Sequence, residues 1–159
     1  RCGDIDPAII PFLMEKEDLT VEEMDNIMNK ESGLLGISGI SSDSRDVRKA
    51  ADEGHKRAKL AIDLFNYQAR KYIGAYMTIM GGIDAIVFTA GIGENAHDLR
   101  KGILEGLEFL DIHLDHKANN SGKKEMEITT SDSTTKAFVI PTNEELVIAS
   151  DTERIVNNL

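Results

Sequence analysis

Four short segments of this chain carry residue types that handle phosphate, purine or a divalent ion. The first is Asp84-Ala85-Ile86-Val87-Phe88-Thr89-Ala90-Gly91-Ile92-Gly93-Glu94-Asn95, where an apolar run ends in small residues and two glycines and a helical pattern follows. This reads as a buried strand feeding a glycine turn onto a helix N-terminus. Free backbone N–H groups and the positive end of a helix dipole converge there and suit a nucleotide or another anion. Gly91, Ile92, Gly93, Glu94 and Asn95 are the candidate contacts. Glycines at such a junction also serve turn geometry alone. The segment is not the dinucleotide fingerprint: Ala96 stands at the third glycine's place, and no βαβ partner with a ribose-binding acid follows. Nor is it a P-loop, because no Gly-Lys-Ser/Thr occurs.

Asp43-Ser44-Arg45-Asp46 is the second segment. Opposite charges beside a helix start ordinarily make a solvated cap. The functional alternative lays the flat Arg45 guanidinium on a purine face, with Asp43 accepting hydrogen bonds from ribose or an amino group. In Pro141-Thr142-Asn143-Glu144-Glu145, the carboxylates suit the first turn of a helix. A carboxylate just after a strand can equally hold Mg²⁺, which takes one or two carboxylates and fills its other positions with water and phosphate oxygens. Last is Arg1, either a frayed terminal residue or a guanidinium offered to a phosphoryl group. His55, His97, His113 and His116 show no triad or metal spacing.

These segments must be positioned by a modest domain. At 159 residues the chain amounts to one domain, residues 1–159, with 41% hydrophobic and 29% charged residues and a formal net charge of −10. The acids are spread along the chain, which argues against binding nucleic acid or an anionic membrane. Cys2 is the sole cysteine, so no internal disulfide forms and nothing calls for an oxidising compartment. With no signal peptide and no apolar run of spanning length, a cytoplasmic protein is expected.

The spacing predicts helices over Ala8–Lys16 and Val21–Lys30, one capped by Ser42 or Asp43 and running to about Glu53, and one over His55–Met80. Thr20 with Glu23 has the capping-box spacing, and Val21, Met24, Ile27 and Met28 should form the buried face of the second helix. Ser32–Ser42, rich in small residues, reads as a loop. A strand Ala85–Thr89, a helix from Asn95 to about Leu107, a short strand Ile112–Leu114, a polar stretch Lys117–Lys124, strands Glu127–Thr130 and Lys136–Ile140, and a helix from Glu144 to about Val156 complete the pattern. The order implies an α/β domain with a small mixed sheet and helices.

Taken together the segments resemble the C-terminal half of an acetate kinase. The likeness is carried by Arg1-Cys2-Gly3-Asp4-Ile5-Asp6-Pro7, Asn29 followed by Ser32-Gly33-Leu34-Leu35-Gly36-Ile37-Ser38-Gly39, Arg70-Lys71-Tyr72-Ile73-Gly74, Phe88–Asn95 and Ile140–Glu145. Several segments in the right order are specific where each alone is weak. The resemblance implies the C-terminal domain of the actin-like (ribonuclease H-like) ATPase fold, one of two α/β domains around a cleft. The chain begins at Arg1 without an initiator Met, and the N-terminal domain is expected to be missing. The implied reaction is reversible transfer of the ATP γ-phosphoryl group to acetate, giving acetyl phosphate and ADP. By the same resemblance, Asp43, Ser44 and Arg45 match an adenosine-binding segment and Gly91–Asn95 a second nucleotide loop. Glu144 matches a Mg²⁺-associated carboxylate, and Arg1 an arginine that steadies the transferring phosphoryl group. The resemblance further implies a homodimer, with the long helix and its Tyr67, Tyr72 and Tyr76 available for contact. Two other readings stay open: a non-catalytic dimerisation module of the same fold, and a kinase for propionate or butyrate. The isolated chain is expected to be inactive, because the acetate pocket lies in the missing half.

Overall fold

A computed structural model describes residues 1–158; the side chain of Glu144 lies outside the described residues. The chain divides into two compact units, residues 1–69 and 70–159.

The first unit is helical. Helix α1 spans Ile9–Lys16 and α2 spans Val21–Asn26. The expected capping box opens α2: Thr20 Oγ1 accepts from the Glu23 N–H at 3.2 Å, and Glu23 Oε2 accepts from the Thr20 N–H at 2.8 Å. The helix does not run on in α form to Lys30. It widens into a π-helical turn, Ile27–Glu31, whose Ile27 carbonyl accepts from Ser32 Oγ at 2.7 Å. Of the expected apolar face, Met24 is buried and Val21 is exposed.

The sequence pattern makes Ser32–Ser42 a loop, but residues Gly33–Ser38 form α3. The reason is tertiary. Leu34 and Ile37 pack against a core of Val47, Ala58 and Ala61, and Arg57 donates to the last carbonyls of the helix, Ile37 O at 2.8 Å and Gly36 O at 3.0 Å. These contacts outweigh the low helix propensity of glycine and serine. Helix α4 spans Ser44–Asp52 with Asp43 as its N-cap. Helix α5, Lys56–Met80, begins in the first unit and continues into the second.

The second unit is built on a sheet of strands β1 (Ala85–Phe88), β2 (Met126–Glu127) and β3 (Lys136–Val139) in the order β1-β3-β2. Strand β1 runs parallel to β3, Ala85 opposite Lys136 and Phe88 opposite Val139, and β2 runs antiparallel to it. The fold is mixed α/β, as expected. Its core is Leu104, Leu107, Ile112, Ile128, Ala137 and Val139. Strand β1 is not the buried strand its apolar run suggested: it lies at the sheet edge, with Val87 half exposed.

Among the smaller elements, Ile112–Leu114 contributes one bridge, Leu114 to Thr129, rather than a strand. The polar stretch after it holds a short helix α8, His116–Asn119, capped by the Asp115 carboxylate on the Lys117 and Ala118 N–H groups. The last helix, α9, spans Glu144–Asn157. No described helix is long and apolar enough to cross a membrane.

Candidate functional site

Parallel pairing of β1 and β3 puts the segments that follow them side by side. The register continues past the strands, with Ile140 N–H donating to Phe88 O at 3.0 Å. Beyond that point Thr89–Asn95 and Pro141–Asn143 are joined by side chains. The Thr89 and Thr142 hydroxyls lie 2.7 Å apart, Thr142 Oγ1 accepts from the Ala90 N–H at 3.1 Å, and Glu94 Oε1 accepts from the Thr142 N–H at 3.0 Å. Glycine-turn residues and the start of the last helix therefore form one corner. Loops after the carboxyl ends of parallel strands are where α/β folds place ligands.

The glycine turn itself differs from expectation. The helix does not wait for Asn95; it starts at Ala90 as α6, Ala90–Asn95, breaks at Ala96, and resumes as α7, His97–Leu104. The two glycines thus sit inside a short helix, in different surroundings. A Cβ on Gly93 would meet Phe88 C at 3.0 Å, so Gly93 permits α6 to fold back onto the end of β1. A Cβ on Gly91 would meet nothing within 4 Å. Gly91 faces open space, as a surface receiving a ligand would. Ala90, at the junction, takes a left-handed φ of 57°, a conformation that costs a non-glycine residue about 1 kcal/mol or more. Ile92 and Asn95 are exposed, and the Asn95 amide donates to Gly91 O at 2.9 Å.

The break at Ala96 is held by a residue that motif reading passed over. Arg100 on α7 is 3% exposed, and its Nη1 donates to Gly93 O and Glu94 O, each at 2.8 Å. Its Nε and Nη2 donate to Asn119 Oδ1 and O, also at 2.8 Å, while Asn119 Nδ2 donates to His97 O. Burial pushes the Arg100 pKa down, and the nearby Asp98 charge partly opposes that. The guanidinium takes the carbonyls at the end of α6, where a continuous helix would have used them. A buried arginine whose partner Asn119 lies nineteen residues along the chain leaves no mark in sequence periodicity.

In the first unit, Asp43 caps α4 by accepting from the Arg45 N–H at 2.8 Å, and its carboxylate also pairs with the Arg45 guanidinium. Hydrogen bonds from the Arg45 side chain and then its backbone hold the Asp43 pKa down at about 2, from an ordinary 3.8. Ser44 is the first residue of α4 and is half-buried. The local reading of the segment as a charged cap is therefore satisfied, with Arg45 itself exposed. Arg1 lines a cavity of about 910 Å³ with Cys2, Asn29, Lys30, Ser32 and Gln68, over an apolar floor including Leu34, Leu64 and Phe65. Ser42, next to the Asp43 cap, lines the same cavity. Glu144 is the first residue of α9, one position after the Asn143 cap that accepts from the Leu146 N–H at 3.0 Å; its side chain lies outside the described residues. The described residues include no group of three or more His, Cys, Asp or Glu side chains able to hold a metal ion.

Comparison with known proteins matches residues 1–150 to the model of the acetokinase family. The chain is 63% identical over 158 residues to an acetate kinase of Halothermothrix orenii, covering 99% of this chain and 40% of that protein. It is 53% identical over 156 residues to an acetate kinase of Methanosarcina thermophila, covering 98% of this chain and 38% of that one. Among solved structures, a Porphyromonas gingivalis acetate kinase superposes with a TM-score of 0.88 at 44% identity, covering 98% of this chain and 39% of that one. A propionate kinase of Francisella tularensis does so with a TM-score of 0.85 at 42% identity, covering 94% and 38%. The chain spans about 40% of the length of the relatives it matches.

Proposed function

Because this chain belongs to the acetokinase family, we propose that it forms the nucleotide-binding part of an acetate kinase that exchanges a phosphoryl group between ATP and acetate. The observation that carries this reading is the corner after β1 and β3, where open-faced Gly91 and the Glu94–Thr142 bond stand beside the start of α9. Gly91–Asn95 would line the nucleotide, with Asp43, Ser44 and Arg45 as its proposed adenosine contacts. Arg45 would exchange part of its pairing with Asp43 for the purine face.

In the reaction, an acetate carboxylate oxygen attacks the γ-phosphorus as the bond to the β-phosphate oxygen breaks, giving acetyl phosphate and ADP. Phosphoryl transfer leaves the protein little covalent work and rests on positioning and charge stabilisation. Arg1 is the proposed cation at the transferring group; a well-placed arginine contributes about a thousandfold or more in rate. Mg²⁺ would arrive with the nucleotide, held mainly by phosphate oxygens with Glu144 as the proposed protein ligand, and would neutralise the meeting anions.

This is a proposal for the full-length protein; the chain alone is expected not to turn over. A coupled ADP-release assay on both forms tests it: turnover by the full-length protein and none by the chain is the expected pair of results. Equal turnover by the chain would sink the fragment reading, and no turnover by either would sink the kinase reading. A propionate kinase stands among the similar solved structures, so acetate, propionate and butyrate should be compared in the same assay. A homodimer is part of the proposal, with the exposed Tyr67, Tyr72 and Tyr76 of α5 as candidate contacts, and light scattering of the full-length protein measures it.

A further inference from the structure

The backbone of Arg1 is held from two sides within the first unit. A Cβ built on Gly33 would stand 2.6 Å from the Arg1 carbonyl oxygen and 3.2 Å from its nitrogen, so only a glycine lets the chain lie there. Gly33 also has a φ of +59°, which a side chain would strain. On the other side the Cys2 N–H donates to Met28 O at 2.7 Å. Met28 lies in the π-helical turn Ile27–Glu31, and such turns inside helices recur at functional sites. The widened turn and Gly33 are linked by Ser32, whose hydroxyl bonds back to Ile27 O. One wall thus supports the main chain of Arg1 while its residues Asn29, Lys30, Ser32 and Gly33 line the same cavity as Arg1.

We propose that Gly33 and the π-turn form a cradle that sets the position of the Arg1 guanidinium for phosphoryl transfer, with Gly33 a positioning residue. The inference rests on the reading of Arg1 as the phosphoryl-stabilising arginine. A cradle of this kind acts on the transition state and leaves nucleotide affinity alone. A displacement near 1 Å at such a group costs about a hundredfold in rate.

The test measures kcat and the KM for ATP in the full-length enzyme carrying Gly33→Ala, Cys2→Pro, Arg1→Ala, and Gly33→Ala combined with Arg1→Ala. Cys2→Pro removes the N–H that bonds Met28 without adding a clash at Gly33, and carries the test if Gly33→Ala does not fold. Gly54→Ala is the control: it also puts a side chain at a positive φ (+90°, against +59° at Gly33) but with no neighbour within 4 Å. The expected result is a kcat lowered about ten- to a hundredfold in Gly33→Ala and Cys2→Pro, with the KM for ATP within about twofold and Gly54→Ala near wild type. The combined variant should lose nothing beyond Arg1→Ala. Losses that add in the combined variant, or an unchanged kcat in both Gly33→Ala and Cys2→Pro beside an impaired Arg1→Ala, overturn the cradle. An Arg1→Ala enzyme with wild-type kcat overturns the role of Arg1 and the cradle with it.

Discussion

Glu94 accepts a hydrogen bond from the backbone N–H of Thr142 at 3.0 Å, across a sequence separation of 48 residues. One carboxylate thereby ties the short glycine helix after β1 to the segment that leads into α9. It uses the orphan donor of a loop that lies between a strand and a helix and belongs to neither ladder. The two pieces of the candidate nucleotide corner are held by this bond together with the Thr89–Thr142 hydroxyl pair.

Breaking that tie should loosen the corner more than the fold. Glu94→Ala is expected to cost about 1 kcal/mol, the net value of a hydrogen bond at an exposed site. Amide exchange at Thr142 should accelerate while core amides such as Val139 keep their protection. An unchanged Thr142 exchange rate would show that the bond does not hold the corner.

The two glycines should respond differently to the same substitution. Gly91→Val places a side chain in open space, so thermal stability should stay within about 1 kcal/mol while MgATP binding, followed by chemical shifts, weakens at least about tenfold. Gly93→Val collides with the end of β1 and should destabilise by about 2 kcal/mol or more. Equal MgATP affinity in Gly91→Val would remove this face from the nucleotide site.

Arg100 and Asn119 are buried together and bonded at both ends. Arg100→Met strands the carbonyls of Gly93 and Glu94, and Asn119→Leu leaves the buried Arg100 Nε and the His97 carbonyl without their side-chain partner while the main-chain bond from Nη2 stays. Each is expected to cost about 3 kcal/mol in denaturant unfolding, a magnitude typical of breaking a buried charged network. Losses below about 1 kcal/mol would mean that water replaces these bonds freely.

Ala90→Gly should be neutral or slightly stabilising. It relieves a left-handed φ worth about 1 kcal/mol and adds backbone entropy to the unfolded chain worth nearly as much. A drop in melting temperature of several degrees would show that the Ala90 methyl makes contacts that matter more than the strain.

The Asp43 cap sets an acid limb. Its pKa in the folded chain is held at about 2, below the ordinary 3.8, so its contribution is present above about pH 4 and fades as pH falls through 2. Asp43→Asn should flatten the stability profile in that window and leave it unchanged at pH 6 to 8 apart from a constant offset. Asp111 and Glu127, also held low by hydrogen bonds, leave a residual slope in the same range. An identical acid slope in Asp43→Asn and wild type would exclude Asp43 as a contributor.

Local chemistry was readable where the physical cause is local. Thr20 with Glu23 and Asp43 with Arg45 stand close along the chain, and both caps form as their spacing requires. The long helix and the α/β order followed from periodicity in the same way. The resemblance found in ordered segments likewise needed no coordinates, because each segment carries its own residues. What sequence could not supply depends on neighbours distant along the chain. Helix α3 exists because Arg57 and the Val47 core receive it, the α6 break because Arg100 takes its last carbonyls, and the Glu94–Thr142 corner because β1 and β3 pair in parallel. Propensity and spacing report energies within one or two helical turns, whereas these three features are decided by which surfaces meet when the chain packs.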